Sequence, residues 1–400
     1  MGKYVRRFKT ISNFNTARQN DYIEPWVSVT DGKGLDYNKS EEEKRLSTPL
    51  TFEILSDGVV AWSSNSVTGG KYTYTNSELK TIQYKKNNGA WTSITAANGS
   101  SAPSIPVVTG DVIQFIGRND YYFYQDADND CDCSNGFYGT TADFKVSGNI
   151  MSLVKPEEFS SFNTLYYYRL QDKYYISLAY LFAGCTTLID ASGLILPCTE
   201  QSCYEYMFSN CTRLVTPPQL PSTTVKQGCY YSMFYGCTSL TTTPELPANT
   251  MATNCYGYMF SGCSSLTTVP VLPATTLVGY CYQYMFRGCS SLTTAPVLPA
   301  TTLADSCYSS MFYGCTALTA APVLPATTLV SFCYNDMFRN CSNLQYIKAM
   351  FTTTPSINET GNWVNGVSPT GTFVKNASAT WTTTGTNGVP TGWTIQTATE

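Results

Sequence analysis

A pair of neighbouring apolar residues recurs seven times along this chain, each copy 26 residues after the last. A fixed period of roughly 20–50 residues predicts a stacked repeat architecture, in which each repeat contacts its neighbours and one long surface is exposed. Such a surface favours a binding or structural role. The seven pairs are Leu181-Phe182, Met207-Phe208, Met233-Phe234, Met259-Phe260, Met285-Phe286, Met311-Phe312 and Met337-Phe338.

Each repeat combines a short amphipathic segment with an extended one. In CYQYMFRGC (281–289) apolar residues stand at i, i+4, i+5 and i+8, a pattern that predicts a short helix with one buried stripe. In the extended segment that follows, we expect Leu292 and Leu298 to point inward. Pro296 and Pro299 have no N–H to donate, so this segment should be only partly hydrogen-bonded between coils.

Hydroxyl groups, more than charges, make the surface of this chain polar. The formal net charge is −4, charged residues are 13%, and there are 30 tyrosines. A nucleic-acid binder needs a basic field, which is missing here. No stretch approaches the roughly 18–20 apolar residues of a membrane span. The start also lacks the apolar run of a secretory signal, so we expect a product that stays in a cytoplasm or leaves by lysis, unless a signal peptide was removed.

The residue types needed for common catalytic sites are missing or scattered. Histidine is absent, which excludes Ser-His, Cys-His and Cys/His-zinc chemistry within the chain. Glycoside hydrolysis would need two acids flanking a cleft. From 241 to 350 the acids are Glu245, Asp305 and Asp336, at different places in their coils. The sequence therefore predicts a protein that is not an enzyme.

Thirteen of the sixteen cysteines follow the repeat. Cysteines four residues before and four after the apolar pair are too far apart on a helix to bond within one coil. Bridges between neighbouring coils are geometrically conceivable, but we expect stacked, unbonded thiols. The two sets are Cys203, Cys229, Cys255, Cys281, Cys307 and Cys333, and Cys185, Cys211, Cys237, Cys263, Cys289, Cys315 and Cys341.

The rest of the chain divides around the repeats of 181–350. Short alternating segments over 49–148 predict an antiparallel β-sandwich. Residues 149–180 and 351–400 are expected to cap the two ends of the repeat stack, because open ends expose core. Residues 1–48 combine basic and aromatic side chains, with Arg6, Arg7, Phe8 and Trp26 as candidate docking residues; the alternatives are a frayed terminus or a segment packed on its own sandwich.

An acidic loop is the candidate metal site. Asp126, Asp128 and Asp130 alternate along YQDADNDCDC (124–133), and such carboxylates can converge on a hard cation such as calcium. The alternative is a solvated acidic loop. The sequence predicts no other cofactor.

Two positions beside each apolar pair vary from coil to coil, whereas the frame around them does not. Tyr, Ser and Arg at these positions are typical of binding surfaces, and the alternative is an inert solvated edge. The candidate receptor-facing residues are Tyr206, Tyr235, Tyr258, Tyr284, Arg287, Tyr313 and Arg339.

The repeats resemble leucine-rich repeats of the BspA-like type. The motif of an aromatic residue, then x-Gly-Cys-x-x-Leu and an apolar-Pro segment stands as MFYGCTSL (233–240), MFSGCSSL (259–266) and MFRGCSSL (285–292). GNIMSL (148–153) and GTFVKNAS…GVPTGWTI (371–395) resemble proteins of gut Bacteroides and their phages. YVRRFKTISNF…DYIEPWVSVT (4–30) is similar to the leader of phage virion proteins from that group. These resemblances imply surface adhesion and host recognition, and they supply no catalytic residue.

The predicted fold is a mixed β and α/β repeat protein, with an N-terminal β-sandwich, a leucine-rich-repeat solenoid of 26-residue coils and a β-rich C-terminal cap. The predicted function is a non-enzymatic phage virion surface component, with a bacterial cell-surface adhesin as the alternative. Its expected partners are virion capsid or tail proteins and a host surface glycan or protein, without nucleic acid or membrane insertion. A homo-oligomer is expected, because fibres are commonly symmetric.

Overall fold

The computed structural model describes residues 43, 46–66, 80–98, 101–119, 122–126, 132–154, 167–170, 173–176, 178–197 and 200–398. The chain divides into two compact units, Met1–Lys44 and Arg45–Glu400. The first unit holds the predicted docking residues Arg6, Arg7, Phe8 and Trp26, which lie outside the described residues. The second unit contains everything discussed below.

Strands concentrate at the two ends of the second unit, and the described helices are short, with one 3-10 turn at Ile150–Leu153 and one α-helical turn at Ile357–Thr360. The strands are β1 (Leu50–Ile54), β2 (Gly58–Ala61), β3 (Ser63–Ser66), β4 (Thr81–Lys86), β5 (Thr92–Thr95), β6 (Ala97–Asn98), β7 (Ser104–Val107), β8 (Val112–Gly117), β9 (Phe123–Asp126), β10 (Asp132–Gly136), β11 (Phe144–Asn149), β12 (Tyr167–Leu170), β13 (Lys173–Ile176), β14 (Leu188–Ile195), β15 (Tyr346–Ala349), β16 (Thr372–Lys375) and β17 (Thr394–Thr397).

Two six-stranded sheets form the N-terminal part, in the orders β14-β11-β1-β8-β4-β5 and β12-β13-β9-β10-β3-β6. Most of their pairs are antiparallel, whereas β11 pairs with β14 and β3 with β6 in parallel. Alternating side chains explain β1, where Leu50, Phe52 and Ile54 are buried and the residues between them are not. The strand-rich character predicted for 49–148 is confirmed, and the two-layer sandwich itself stays a prediction.

One aromatic core joins these sheets to the repeats. The Phe52 ring lies 4.7 Å from that of Phe137, and Phe137 stacks on Phe182 of the first repeat at 5.4 Å. The Cys185 thiol donates to the Phe137 carbonyl at 3.1 Å, as each later cysteine of its set does to the phenylalanine of the preceding coil. Phe137 therefore stands where the phenylalanine of a preceding coil would stand.

The prediction of a short helix in each repeat is wrong. The segment is a series of overlapping turns, which we name the turn chain. In 281–289 the N–H groups of Met285 and Arg287 donate to carbonyls three residues back, at 3.2 and 3.1 Å. The residues that alternate with them donate instead to the next coil, Tyr284 to Ser309 and Phe286 to Met311, both at 2.9 Å. Positive φ recurs at every fourth residue, 60° at Tyr280, 57° at Tyr284 and 72° at Gly288. A positive φ at the third of the four residues is characteristic of a type II turn, and Tyr284 is the third residue of the turn from Tyr282 to Met285.

The difference has a physical reason. A helix would satisfy its N–H groups within the coil, at the i−4 carbonyl. The turn chain keeps every second N–H for the neighbouring coil, so its stack is a hydrogen-bonded ladder in the direction of the repeat. The buried spacing i, i+4, i+5, i+8 is compatible with both arrangements, because both turn the chain about once in four residues.

The extended segments are joined only loosely, as their prolines predict. Among the described residues of 217–319 they contribute isolated parallel bridges, such as Thr224 with Thr250 and Thr276 with Thr302, rather than continuous strands. Leu292 and Leu298 are buried, which confirms them as inward anchors.

Columns of identical side chains fill the interior of the stack. Successive phenylalanine rings from Phe182 to Phe338 lie 5.4 to 5.7 Å apart and nearly parallel. Successive tyrosines from Tyr204 to Tyr334 lie 5.8 to 6.0 Å apart. All thirteen repeat cysteines are buried and none forms a disulfide, as predicted.

The cap predicted over 351–400 begins with an eighth coil. The Phe338 N–H donates to the Trp363 carbonyl at 2.8 Å, and Asn362 and Gly366 repeat the positive φ of the earlier coils. β15, β16 and β17 pair in parallel, with β15 and β16 in the 26-residue register. Trp363 takes the place of methionine, and its buried indole N–H donates to the Gly388 carbonyl. A bulky indole ring therefore closes the core where the stack ends.

Candidate functional site

The turn chain sorts its side chains into buried and outward ones. Met, Phe, Cys and the tyrosine after the first cysteine are buried in every complete coil. The positions before Met and after Phe are at least partly exposed wherever they carry a large side chain, as at Tyr258, Arg287 and Tyr313, and buried wherever they carry serine, as at Ser232 and Ser261. These are the two variable positions singled out from the sequence.

Most of the large side chains at these positions, together with Tyr231, form one continuous line across seven coils. We name it the tyrosine–arginine track, and each member contacts the next through an aromatic ring. Its members are Tyr180, Tyr206, Tyr231, Tyr258, Tyr284, Arg287, Tyr313 and Arg339.

The first half of the track is aromatic. Tyr180 stacks on Tyr206 at 4.7 Å, and Tyr258 stacks on Tyr284 at 4.3 Å. Tyr231 connects the two pairs by edge contacts of 5.6 Å to Tyr206 and 5.5 Å to Tyr258.

Tyr231 fills a gap that serine would leave. The regular position in its coil is occupied by Ser232, which is buried and carries no ring. The ring of Tyr231 takes that place by lying over Gly257 of the next coil, where a Cβ would stand 2.9 Å from the ring. Gly257 is thus the residue that makes room for the continuous track.

The second half of the track carries cations. The Arg287 guanidinium lies 5.8 Å from the Tyr284 ring and 5.3 Å from the Tyr313 ring. Arg339 lies 5.6 Å from Tyr313 and forms a 3.1 Å ion pair with Asp336. Cation–π contacts hold both guanidinium groups in fixed orientations.

Burial sets the ionisation of the tyrosine-rich end. Burial raises the pKa of Glu205 to about 7, against the opposing hydrogen bond from Ser202. Burial likewise raises the pKa of Tyr206, and it raises that of Tyr258 to about 12. These phenols therefore stay neutral and remain hydrogen-bond donors at physiological pH.

The structure brings six of the seven predicted receptor-facing residues into this track. Tyr235 is exposed at 37% but makes no ring contact with the track. The sequence reasoning missed Tyr180, which lies directly before the first repeat pair, and Tyr231, which lies one place outside the variable positions. A signal for Tyr231 was present in the sequence. The equivalent position in the next coil is Gly257, and no other of the seven repeats has a glycine there.

The predicted metal site falls mostly outside the described residues. Asp126 ends β9, and Asp128 and Asp130 belong to the undescribed stretch. Within the described part of the chain, no group of three His, Cys, Asp or Glu side chains is placed to hold a metal ion. There, too, no helix has the length and apolar character needed to cross a bilayer.

A known family model matches this repeat region. Residues 152–293 and 203–345 fit the BspA type leucine rich repeat region, in six copies. The repeats are of the BspA type. The matched ranges span a little under half of the chain, and BspA-type repeats indicate a surface or adhesin-type repeat protein. No curated protein and no solved structure matches the chain.

Proposed function

We propose that this chain is a non-enzymatic surface component of a phage virion, anchored by its N-terminus, whose BspA-type repeats contact the host cell surface. The observation that carries the recognition part is the tyrosine–arginine track. It is a continuous line of partly exposed aromatic and guanidinium groups on a rigid ladder. Tyrosine and arginine supply much of the binding energy in protein recognition surfaces, and a rigid frame lowers the entropic cost of binding.

The virion part rests on the N-terminal sequence. Residues 4–30 resemble phage virion leaders, and Arg6, Arg7, Phe8 and Trp26 combine charge with apolar area. An acidic capsid or tail surface would attract such an arm and order it on docking. The protein is then made in the host cytoplasm, displayed as a homo-oligomer on the particle, and needs no cofactor. The calcium loop at Asp126, Asp128 and Asp130 stays a prediction.

The alternative is a bacterial BspA-like cell-surface adhesin, which the repeat type supports. A glycan-cleaving enzyme is the weaker third class. From 241 to 350 the acids Glu245, Asp305 and Asp336 stand at different places in their coils, so the repeats do not present a recurring pair of acids for glycoside hydrolysis.

Recognition is tested by binding of the purified chain to host cells. A track variant carries Tyr284→Ser, Arg287→Ser and Tyr313→Ser, because serine occupies equivalent positions in other coils. A matched control carries serine at the exposed residues Val271, Val297 and Val323 of the extended segments. We expect the track variant to lose cell binding with an unchanged melting temperature, and the control to bind normally. Equal binding by both variants would refute the recognition role.

Attachment is tested by deleting residues 1–30. We expect a folded, soluble remainder that no longer joins the particle, measured by immunogold electron microscopy of purified virions. Normal assembly of the truncated protein would contradict the docking role. An unfolded remainder would support the alternative in which the arm packs on its own chain.

A further inference from the structure

In the part of the chain that the structure describes, Arg287 is the cation of the track that has no acidic partner. Arg339 is paired with Asp336, and outside the track Arg213 is paired with Asp143. Among the described residues no carboxylate lies within 4 Å of the Arg287 guanidinium, whose side chain is exposed. The Tyr284 and Tyr313 rings hold this charge in place without neutralising it.

Few other charges surround it. From residue 214 to residue 335 the sequence has four charged side chains, Lys226, Glu245, Arg287 and Asp305. The Asp305 carboxylate accepts a hydrogen bond from the Ser306 hydroxyl at 3.2 Å. Arg287 therefore dominates the local field at the middle of the track, where an anionic group of a ligand would be drawn.

The tyrosines around Arg287 offer hydroxyl groups rather than open ring faces. Tyr258 and Tyr284 are stacked on each other, and the Tyr313 ring has the guanidinium groups of the coils on either side over it. A ligand lying along the stack therefore meets phenol and guanidinium N–H and O–H donors. The Tyr258 phenol is neutral at physiological pH, and burial raises its pKa further, to about 12, so it does not repel an anion.

We propose that the track binds an acidic polysaccharide lengthwise, with a sugar carboxylate on Arg287 and sugar hydroxyls on Tyr258, Tyr284 and Tyr313. This inference rests on the recognition role proposed above and names its ligand class. A polysaccharide matches the track because it presents hydroxyls along its whole length. A peptide would instead need apolar pockets for anchor side chains, whereas this line carries guanidinium and phenol groups.

The experiment measures the affinity of the full chain for oligogalacturonate, a uronic-acid oligosaccharide, and for its carboxyl-reduced, neutral counterpart. The variant is Arg287→Gln, and the control is Lys226→Gln, which removes the same charge from an exposed site outside the track. We expect Arg287→Gln to weaken oligogalacturonate binding about 10- to 100-fold, as for loss of a hydrogen bond to a charged group. Lys226→Gln should change it less than about threefold.

The carboxyl-reduced oligosaccharide should bind the wild-type chain about as weakly as oligogalacturonate binds Arg287→Gln. Equal affinity of the wild type and Arg287→Gln for oligogalacturonate, including no binding by either, overturns this inference. Binding of a poly-glutamate peptide as tight as that of oligogalacturonate also overturns it, because charge alone would then suffice. In either case, the recognition role still holds if the track variant loses cell binding. If the wild-type chain does not bind cells, the recognition role itself is refuted.

Discussion

Ser309 and Ser310 allow the turn chain to be tested against a helix with a matched pair of sites. They are neighbours in one coil, and both are buried, at 7% and 2% exposure. The Ser309 N–H donates to the Ser306 carbonyl of its own coil, and the Ser310 N–H donates to Asn335 of the next. Only Ser310 has a positive φ, 54°. The perturbation is alanine and then glycine at each site.

The expected change in the free energy of unfolding follows from what the two sites share and from the one term in which they differ. Exchanging alanine for glycine removes one buried methyl group and adds the entropic cost of glycine, about 0.5–1 kcal/mol, at both positions. At Ser310 it also removes the penalty for a Cβ at left-handed φ, about 1–2 kcal/mol. We therefore expect alanine to be the more stable residue at 309. The preference should shift toward glycine by about 1–2 kcal/mol at 310.

Urea denaturation of the four variants, followed by far-ultraviolet circular dichroism, measures this difference. Comparing midpoints at equal slope avoids a full two-state assumption, which long repeat arrays often violate. In a helix, alanine would be favoured over glycine by about 1 kcal/mol at both sites. An equal preference for alanine at 309 and 310 would therefore refute the turn chain.

Four further predictions follow from the same contacts. Phe286→Ala should cost about 3–5 kcal/mol, because the ring is fully buried between two others, and an unchanged melting temperature would contradict its core position. All thirteen repeat thiols should react with a thiol reagent after denaturation without reductant; reaction only after reduction would show disulfides. Tyr334→Phe should be neutral or stabilising by up to about 1 kcal/mol, since the buried hydroxyl has no hydrogen-bond partner among the described residues, and a clear loss in thermal unfolding would reveal one. Hydrogen bonds from Lys86, Val108 and Asn87 lower the pKa of Asp111 to about 2. The ionised carboxylate therefore stabilises the fold, by at most about 2 kcal/mol, above pH 4, and this stabilisation is lost as the pH falls toward 2. In urea titrations, Asp111→Asn should lower stability at pH 7 but not at pH 2.

The period and the residue spacing were sufficient to predict the core of the repeats. A side chain that returns every 26 residues beside the same neighbours has to stack on its own copy, which is why Phe286, Cys289 and Leu292 could be placed inward. The local conformation between them was not predictable from apolar spacing. A signal was nevertheless present, since Gly228 and Gly236 stand eight residues apart, both at positive φ, with Ser232 midway between them.

The candidate site was predictable as a set of positions but not as a line. Variation at fixed places identified Tyr258, Arg287 and Tyr313. Tyr231 entered the track only because Gly257, in another coil, leaves space for its ring. Such a contact depends on the distance between coils and on the side chain opposite, and neither is contained in the sequence of a single repeat.

The same arrangement explains how a recognition surface can vary while the fold stays constant. Each coil is held by its backbone ladder and by the buried columns, and the side chains of the track contribute to neither. Where a coil carries serine at the variable position, a neighbouring ring can occupy the space, as Tyr231 does beside Ser232. A change of ligand then requires substitutions at one or two outward positions in adjacent coils, and the free energy of unfolding should be nearly independent of which ligand the track binds.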